Sequence, residues 1–337
     1  MSVNVYGTYK DRWGRKGLEV IPEVNDGMVC EEDPGKERRN RRRDTFCDDG
    51  FSSHLLPKCM SNQITPSQTE EDFSVYERCE AQVHFEQVFN RLNGFGFGHF
   101  LHNHQLEERH RAKMLDWMLE VLAVYKQSQA TFYRSVLLLD LYYGKKQKRM
   151  ALNELHLSGI ACMLIASKQE EVNHLKMDTI LDNIGKNKFS KEQLLNRELD
   201  ILLTVQFNTN FPTFNELFKC SFRFISFGTT EADKFFQKSC FLLSRVCLLS
   251  YHILSNFSYS DIALSCIIIS LKLSKRLYAV DSADDLLHSV FDMFKVKSRR
   301  LAVQRAQICH EFILNLDTAM PFIKNIESFC DFNQRVN

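Results

Sequence analysis

No Cys-x-x-Cys pair and no Cys/His cluster of the kind tetrahedral zinc requires occurs among the 11 cysteines. They read as small core residues in a reducing compartment. No stretch of about 18 uncharged apolar residues is present, and Met1 to Lys10 is polar with no apolar signal-peptide core. The expectation is a soluble, intracellular protein. A net charge of +1 gives no overall field for nucleic acid or an anionic membrane. Also missing are a Gly-x-x-x-x-Gly-Lys loop, a Gly-x-Gly-x-x-Gly turn after a strand, a His-Glu-x-x-His helix and a Gly-x-Ser-x-Gly elbow. Nothing nominates an active site, a metal or a cofactor, and the pairs His102/His104 and Glu170/Glu171 read as ordinary polar neighbours.

What is present is enough for two globular domains and a tail: 337 residues, 44% of them hydrophobic. Residues 1–71 are rich in charge, Gly, Ser, Asn and Pro without helical or strand periodicity, the pattern of a disordered regulatory tail. Within it Lys36, Arg38, Arg39, Arg41, Arg42 and Arg43 form a basic run. Such a run suits the acidic groove of a nuclear-import receptor or a phosphate backbone, and equally a solvated charge run. From Phe73 onward helical patterns follow one another, with the 13 glycines and 6 prolines of the chain scarce and placed between them, so the fold class is all-α. A first helix is expected over Phe73 to Leu92, ended by Gly94-Phe95-Gly96-Phe97-Gly98.

Two segments, Leu157 to Lys168 and Ile262 to Leu273, are apolar on every face, so each must be surrounded by other helices. They also match each other, with Cys162/Cys266, Ile165/Ile269 and Lys168/Lys272 each 104 residues apart. Two tandem helical bundles follow, residues 72–208 with a preceding helix and residues 209–330. Ser190-x-x-Gln193 and Ser258-x-x-Asp261 are capping-box starts for the closing helix of the first bundle and the central helix of the second.

On the helix from Arg111 to Lys126, Leu115, Met118 and Leu122 form one apolar stripe and Met114, Trp117, Val121 and Val124 another, leaving a narrow polar one, Lys113, Asp116 and Glu120. At the helical pitch Trp117 lies about 40° from Lys113 and about 60° from Glu120, so the indole borders solvent. It either staples the helix to a neighbour or docks a basic-apolar peptide beside Glu120. Asp140 shares a face with Tyr133, Val136 and Leu137 and needs a cation, for which Arg111 is the choice. Glu198 lies among Leu194, Leu195, Leu202 and Val205. Lys168 suits the end of its helix by charge alone, or joins Glu198 in a polar spot on an apolar docking face.

Arg111-Ala112-x-x-Leu115-Asp116-Trp117-x-x-Glu120-Val121, the run from Leu155 to Glu171 with Gly159, Ala161, Ala166 and Lys168, and Phe189-Ser190-Lys191-x-Gln193 through Phe207 resemble the cyclin family. The resemblance covers roughly Phe73 to Phe329. It implies two tandem five-helix cyclin folds and a regulatory subunit, not an enzyme, that binds and activates a cyclin-dependent protein kinase as a heterodimer. It further implies kinase contacts at Lys168, Glu170, Glu171, Glu198 and Phe207, and an internal pair of Arg111 with Asp140. A substrate-docking patch for Arg-x-Leu segments would fall at His110, Lys113, Met114, Trp117, Glu120, Leu155 and His156. Here His110, Lys113 and His156 replace the usual Met, Ile and Gln, and Val172-Asn173-His174-Leu175 replaces the usual Tyr-Pro-Pro.

In the tail, Arg15-x-x-Leu18-x-x-Ile21 resembles a destruction box read by a ubiquitin ligase, and Thr65-Pro66 is a minimal proline-directed phosphorylation site. Val124-Tyr125-Lys126 and Thr131-Phe132-Tyr133 look closest to cyclins of replication onset, whereas the destruction box points to mitosis. A nuclear location, with cytoplasm as an alternative, follows from the basic run. The competing reading is a transcription protein of the same fold, either a transcription-kinase cyclin or a promoter-binding factor. The confinement of the basic run to the tail and the lack of Cys-x-x-Cys speak against DNA contact and a zinc ribbon.

Overall fold

The computed structural model describes residues 66–93, 99–278 and 283–326. The tail motifs at Arg15, Leu18 and Ile21, the basic run from Lys36 to Arg43, Thr65 and the glycine run at 94–98 lie outside the described residues. Among the described residues every regular element is helical. The helices are α1 (Pro66–Asn93), α2 (Glu108–Val124), α3 (Gln129–Lys145), α4 (Glu154–Glu170) and α5 (Lys191–Thr204), with a π turn at Thr179–Ile184 before α5. After a linker come α6 (Phe214–Phe222), α7 (Thr230–Leu249), α8 (Tyr251–Asn256), α9 (Tyr259–Tyr278), α10 (Ala283–Met293), α11 (Arg299–Leu314) and α12 (Leu316–Ala319). The first helix starts earlier than its apolar pattern predicts. Pro66 opens it, a residue preorganised for the first helical turn where its missing N–H costs nothing.

Each all-apolar segment is the centre of a bundle. In α4 every residue from Ser158 to Ser167 is buried, and the helix packs against α2, α3 and α5. In α9 every residue from Ile262 to Leu271 is buried, beneath α6, α7, α8, α10 and α11. Small residues permit the close approach. At Gly159 a Cβ would stand 1.9 Å from the Met114 Cε, so only glycine leaves the present packing undisturbed. Both expected capping boxes form. Ser190 accepts from the Gln193 N–H at 3.1 Å while the Ser190 N–H donates to the Gln193 side chain at 2.9 Å. The Asp261 N–H donates to Ser258 Oγ at 3.1 Å, and the Ser258 N–H donates back to the Asp261 carboxylate at 3.3 Å.

A single hydrophobic cluster runs through both bundles, and polar stitches cross between them. The Arg111 guanidinium donates to both oxygens of Asp140 at 2.7 Å and to the Leu248 carbonyl on α7 at 2.6 Å. Both side chains are 2% exposed or less. Burial alone would lower the Arg111 pKa, but the adjoining carboxylate outweighs it and holds the guanidinium above its ordinary value. Tyr133 on α3 bonds the Phe241 carbonyl at 3.0 Å and Ser244 at 2.7 Å, and its burial pushes its phenol up to about 12. Helix α1 caps the second bundle through Phe85, whose ring meets those of Phe294 at 5.4 Å and Phe224 at 6.4 Å.

The described cysteines are all unpaired by disulfide, and all but Cys79 are buried. Burial raises the thiol pKa of Cys162 and Cys240, which makes them inert packing residues. No helix among the described residues is long and apolar enough to cross a membrane.

Candidate functional site

Helix α5 is apolar on two sides. Leu194, Ile201 and Val205 are buried against α4, whereas Leu195, Leu199, Leu203 and Phe207 are 43%, 50%, 57% and 61% exposed. These four are spaced four residues apart and form one outward ridge along the helix and just past its end. Leu195 therefore does not share a buried stripe with Glu198, as the sequence pattern suggested. It faces out because the helical pitch carries it past the contact line with α4. Phe207 takes a left-handed backbone conformation, φ +55°, in the turn that ends the helix. A non-glycine residue held there is a costly arrangement in which the ring is presented outward.

Between the buried and exposed sides of α5 lies the ion pair. Lys168 Nζ at the end of α4 stands 2.5 Å from Glu198 Oε1, the lysine side chain 42% exposed and the glutamate 11%. The carboxylate is therefore satisfied within the chain, while the ammonium keeps donors facing solvent. The other two acidic residues assigned to this face are turned toward their own bundle. Glu170 pairs with Arg134 at 2.7 Å. Glu171 accepts from the Ser128 N–H at 2.5 Å and from the Thr131 hydroxyl, closing the start of α3.

Arg134 carries no signal in the sequence that marks it out. Its side chain is 5% exposed and reaches Glu170, Glu216 at 3.0 Å, the Thr209 carbonyl at 3.1 Å and the Phe211 carbonyl. It thereby ties the end of α4 to the linker between the bundles and to α6. Its apolar neighbours on α3 gave a periodic signal, but its partners lie in distant segments.

A second surface lies on α2. Lys113 and Glu120 are exposed and Trp117 is half-buried, with its ring edge-on to His156 at 4.7 Å. His156 also meets Phe189 at 5.4 Å. Met114 and Leu155 are each 6% exposed and form the floor. Burial, with the Lys188 cation second, holds the half-buried His156 imidazole below its ordinary value, so the ring is neutral near pH 7. His110 is used locally: its Nδ1 accepts from the Glu107 N–H at 3.1 Å and completes the cap of α2.

Asp116 departs from its expected place in the solvent-facing stripe and is only 7% exposed. The segment after α12 crosses over it. One carboxylate oxygen accepts the N–H groups of Lys324 at 3.0 Å and Asn325 at 2.7 Å, and the other accepts the Asn325 side-chain amide at 3.0 Å. Lys113 Nζ lies 5.1 Å from the centre of the Phe322 ring on the same segment. Val124, assigned to an apolar stripe of α2, is 68% exposed because the helix ends there.

Of the pair His102/His104, the first is exposed and the second is part of the structure. His104 is buried, accepting from the Met150 N–H at Nδ1 (3.2 Å) and placing Nε2 2.8 Å from the Tyr143 carbonyl, which fits a neutral ring with Nε2 as donor. Among the described residues no group of three or more His, Cys, Asp or Glu is placed to hold a metal.

Residues 96–210 match the family model described as Cyclin, N-terminal domain. Among curated proteins the chain is 33% identical over 141 residues to Cyclin-A3-2 of Arabidopsis thaliana, covering 42% of this chain and 37% of that protein. It is 29% identical over 164 residues to Cyclin-B2-4 of Arabidopsis thaliana, covering 49% and 36%. It is 30% identical over 149 residues to G2/mitotic-specific cyclin-2 of Medicago sativa, covering 44% and 43%. In each case the match spans less than half of the relative's length. Among solved structures a viral cyclin from herpesvirus saimiri aligns with a TM-score of 0.43 at 19% identity, over 57% of this chain and 87% of that one.

Proposed function

On the premise that residues 96–210 form a cyclin N-terminal domain, we propose that this chain is a regulatory subunit that binds and activates a cyclin-dependent serine/threonine protein kinase. The observation that carries the reading is the ridge of Leu195, Leu199, Leu203 and Phe207 beside the half-exposed Lys168–Glu198 pair. An apolar strip with a central charged spot has the composition of a protein–protein interface: the apolar groups supply burial and the ammonium fixes register. Packed on the kinase's mobile regulatory helix, it would hold that helix inward and help order the activation loop, so that the kinase's Lys–Glu pair and metal-binding Asp align. Catalysis belongs to the partner. Glu170 and Glu171 act indirectly in this reading, by fixing the end of α4 from which Lys168 projects.

Control of cell-cycle progression, at replication onset or mitosis, belongs to the same proposal, as do a nuclear location through the basic run from Lys36 to Arg43 and turnover through Arg15, Leu18 and Ile21. The α2 surface with Trp117 and Glu120 is proposed to receive substrate segments. With Asp116 covered by the chain's own Lys324 and Asn325, Glu120 is the free carboxylate on that stripe to meet an arginine.

The test is co-expression of the full chain with a panel of cyclin-dependent kinases, measuring phosphorylation of a histone peptide. Activation by the wild type, reduced about tenfold or more by Lys168→Ala/Glu198→Ala and by Leu199→Asp/Leu203→Asp, is expected. Failure to bind any kinase would overturn the reading.

A further inference from the structure

The 104-residue repeat sets a second face against the first. Lys168 on α4 corresponds to Lys272 on α9, but the position matching Glu198, counted from the helix N-caps Ser190 and Ser298, is Ala306, a buried methyl group on α11 that lines the same cavity as Lys272. The lysine is kept in the second bundle and its carboxylate partner is not. Lys272 is exposed at the rim of a cavity of about 220 Å³ between α9 and α11, with Arg276 one turn further along α9 and His310 opposite on α11, both also exposed.

The walls are apolar. They are formed by Ile268, Ile269 and Leu273 of α9 and Ala306 of α11. No carboxylate lines this cavity. Nearby, Asp261 is paired with Arg305 and Asp284 with Lys275 at 2.5 Å. Among the described residues Lys272 and Arg276 form no salt bridge.

We propose that the groove between α9 and α11 is a second docking surface, for a linear segment of another protein that carries an apolar anchor flanked by carboxylates. The charge of the rim selects the occupant. Two cations and a histidine around an apolar slot repel a basic segment and leave a neutral one with unanswered charge, whereas an acidic one completes the pair that the first bundle completes internally. The size of the slot selects its form. Small-molecule sites usually enclose about 300–1,000 Å³, so this cavity falls short of a cofactor site and suits a single large apolar side chain delivered on a chain.

The proposal is tested by panning the immobilised full chain against a displayed library of short random peptides, followed by fluorescence-polarisation titration of the enriched sequences. Enriched peptides should place Asp or Glu beside Leu, Ile, Met or Phe. They should lose about tenfold or more in affinity on Lys272→Glu/Arg276→Glu, and weaken as salt is raised. The milder Lys272→Ala/Arg276→Ala pair, checked by circular-dichroism melting, separates lost contact from lost fold. Kinase activation by these variants should match the wild type, so this surface and the α5 ridge fail or stand separately. Enriched peptides without carboxylates, peptides binding the variants as well as the wild type, or no enrichment at all would overturn the proposal. So would sedimentation showing a dimer abolished by the same substitutions, which makes a second copy the occupant.

Discussion

The two bundles share a plan and differ in how they handle charge. In the first, Arg111 and Asp140 form a buried bidentate pair, and Lys168 answers Glu198. At the repeat distance the second has Asn215 and Ser244, and Lys272 shares its cavity with Ala306 where the first bundle has Glu198, so both pairs are gone. Ser244 instead receives Tyr133 from the first bundle, and Asn215 Oδ1 is buried without a partner among the described residues. The first bundle thus contains a fully buried ion pair of its own, whereas the ion pairs within the second, Arg305–Asp261 and Lys275–Asp284 among them, are partly exposed and its interior is held by an aromatic and aliphatic core and by what the first extends into it. A duplicated helical frame can therefore keep its packing while its charged groups diverge. Packing needs only apolar volume at the right period, but a buried charge needs one particular partner.

The contrast is most easily broken at Arg111. Replacing it with alanine leaves the Asp140 carboxylate buried and unpaired and removes the bond to Leu248, so urea unfolding should show a loss of about 3–5 kcal/mol. Asn215→Ala should cost about 1 kcal/mol or less, since its oxygen gives up no hydrogen bond. Equal losses at the two positions would erase the distinction between the bundles. A smaller effect is expected at Gly159, whose counterpart in the second bundle is Ala263. In Gly159→Ala the gain in helix propensity, about 1 kcal/mol, opposes the displacement of Met114. Stability should stay within about 1 kcal/mol of wild type, while Trp117 fluorescence shifts as the floor of the α2 surface moves.

The smallest effect is a pH dependence confined to the first bundle. His156 is held below its ordinary value in the folded chain, so the unfolded chain binds its proton more readily. Stability from this group is fully present above the ordinary histidine pKa of about 6.5 and is lost as pH falls from there through the lower folded value. Comparing melts of wild type and His156→Gln across that window should show a shallower acid-side decline in the variant. An unchanged slope would remove His156 as its source.

The helical class, the two central helices, both capping boxes and the Arg111–Asp140 pair were legible in the sequence. Each depends on periodicity, or on residue types whose burial leaves few alternatives. The site was legible in part. Lys168, Glu198 and Trp117 stood out by chemistry, but the ridge of Leu195, Leu199 and Leu203 did not, because leucines on either side of a helix look alike until a neighbour covers one side. Glu170 and Glu171 were read as outward contacts, yet their partners Arg134, Ser128 and Thr131 turn them inward.

By itself the sequence determined which segments are helical, where two of them begin, which two must be surrounded, and that a buried Asp140 must meet a cation, since these follow from local spacing and the cost of burying charge. Only the tertiary structure decided that Asp116 is covered by a segment 208 residues away, that Arg134 gathers α4, the linker and α6, and that Lys272 overlooks an apolar groove with no carboxylate on its walls. Those contacts join residues far apart in the chain, where hydrogen-bonding capacity is visible in the sequence but the choice of partner is set by packing.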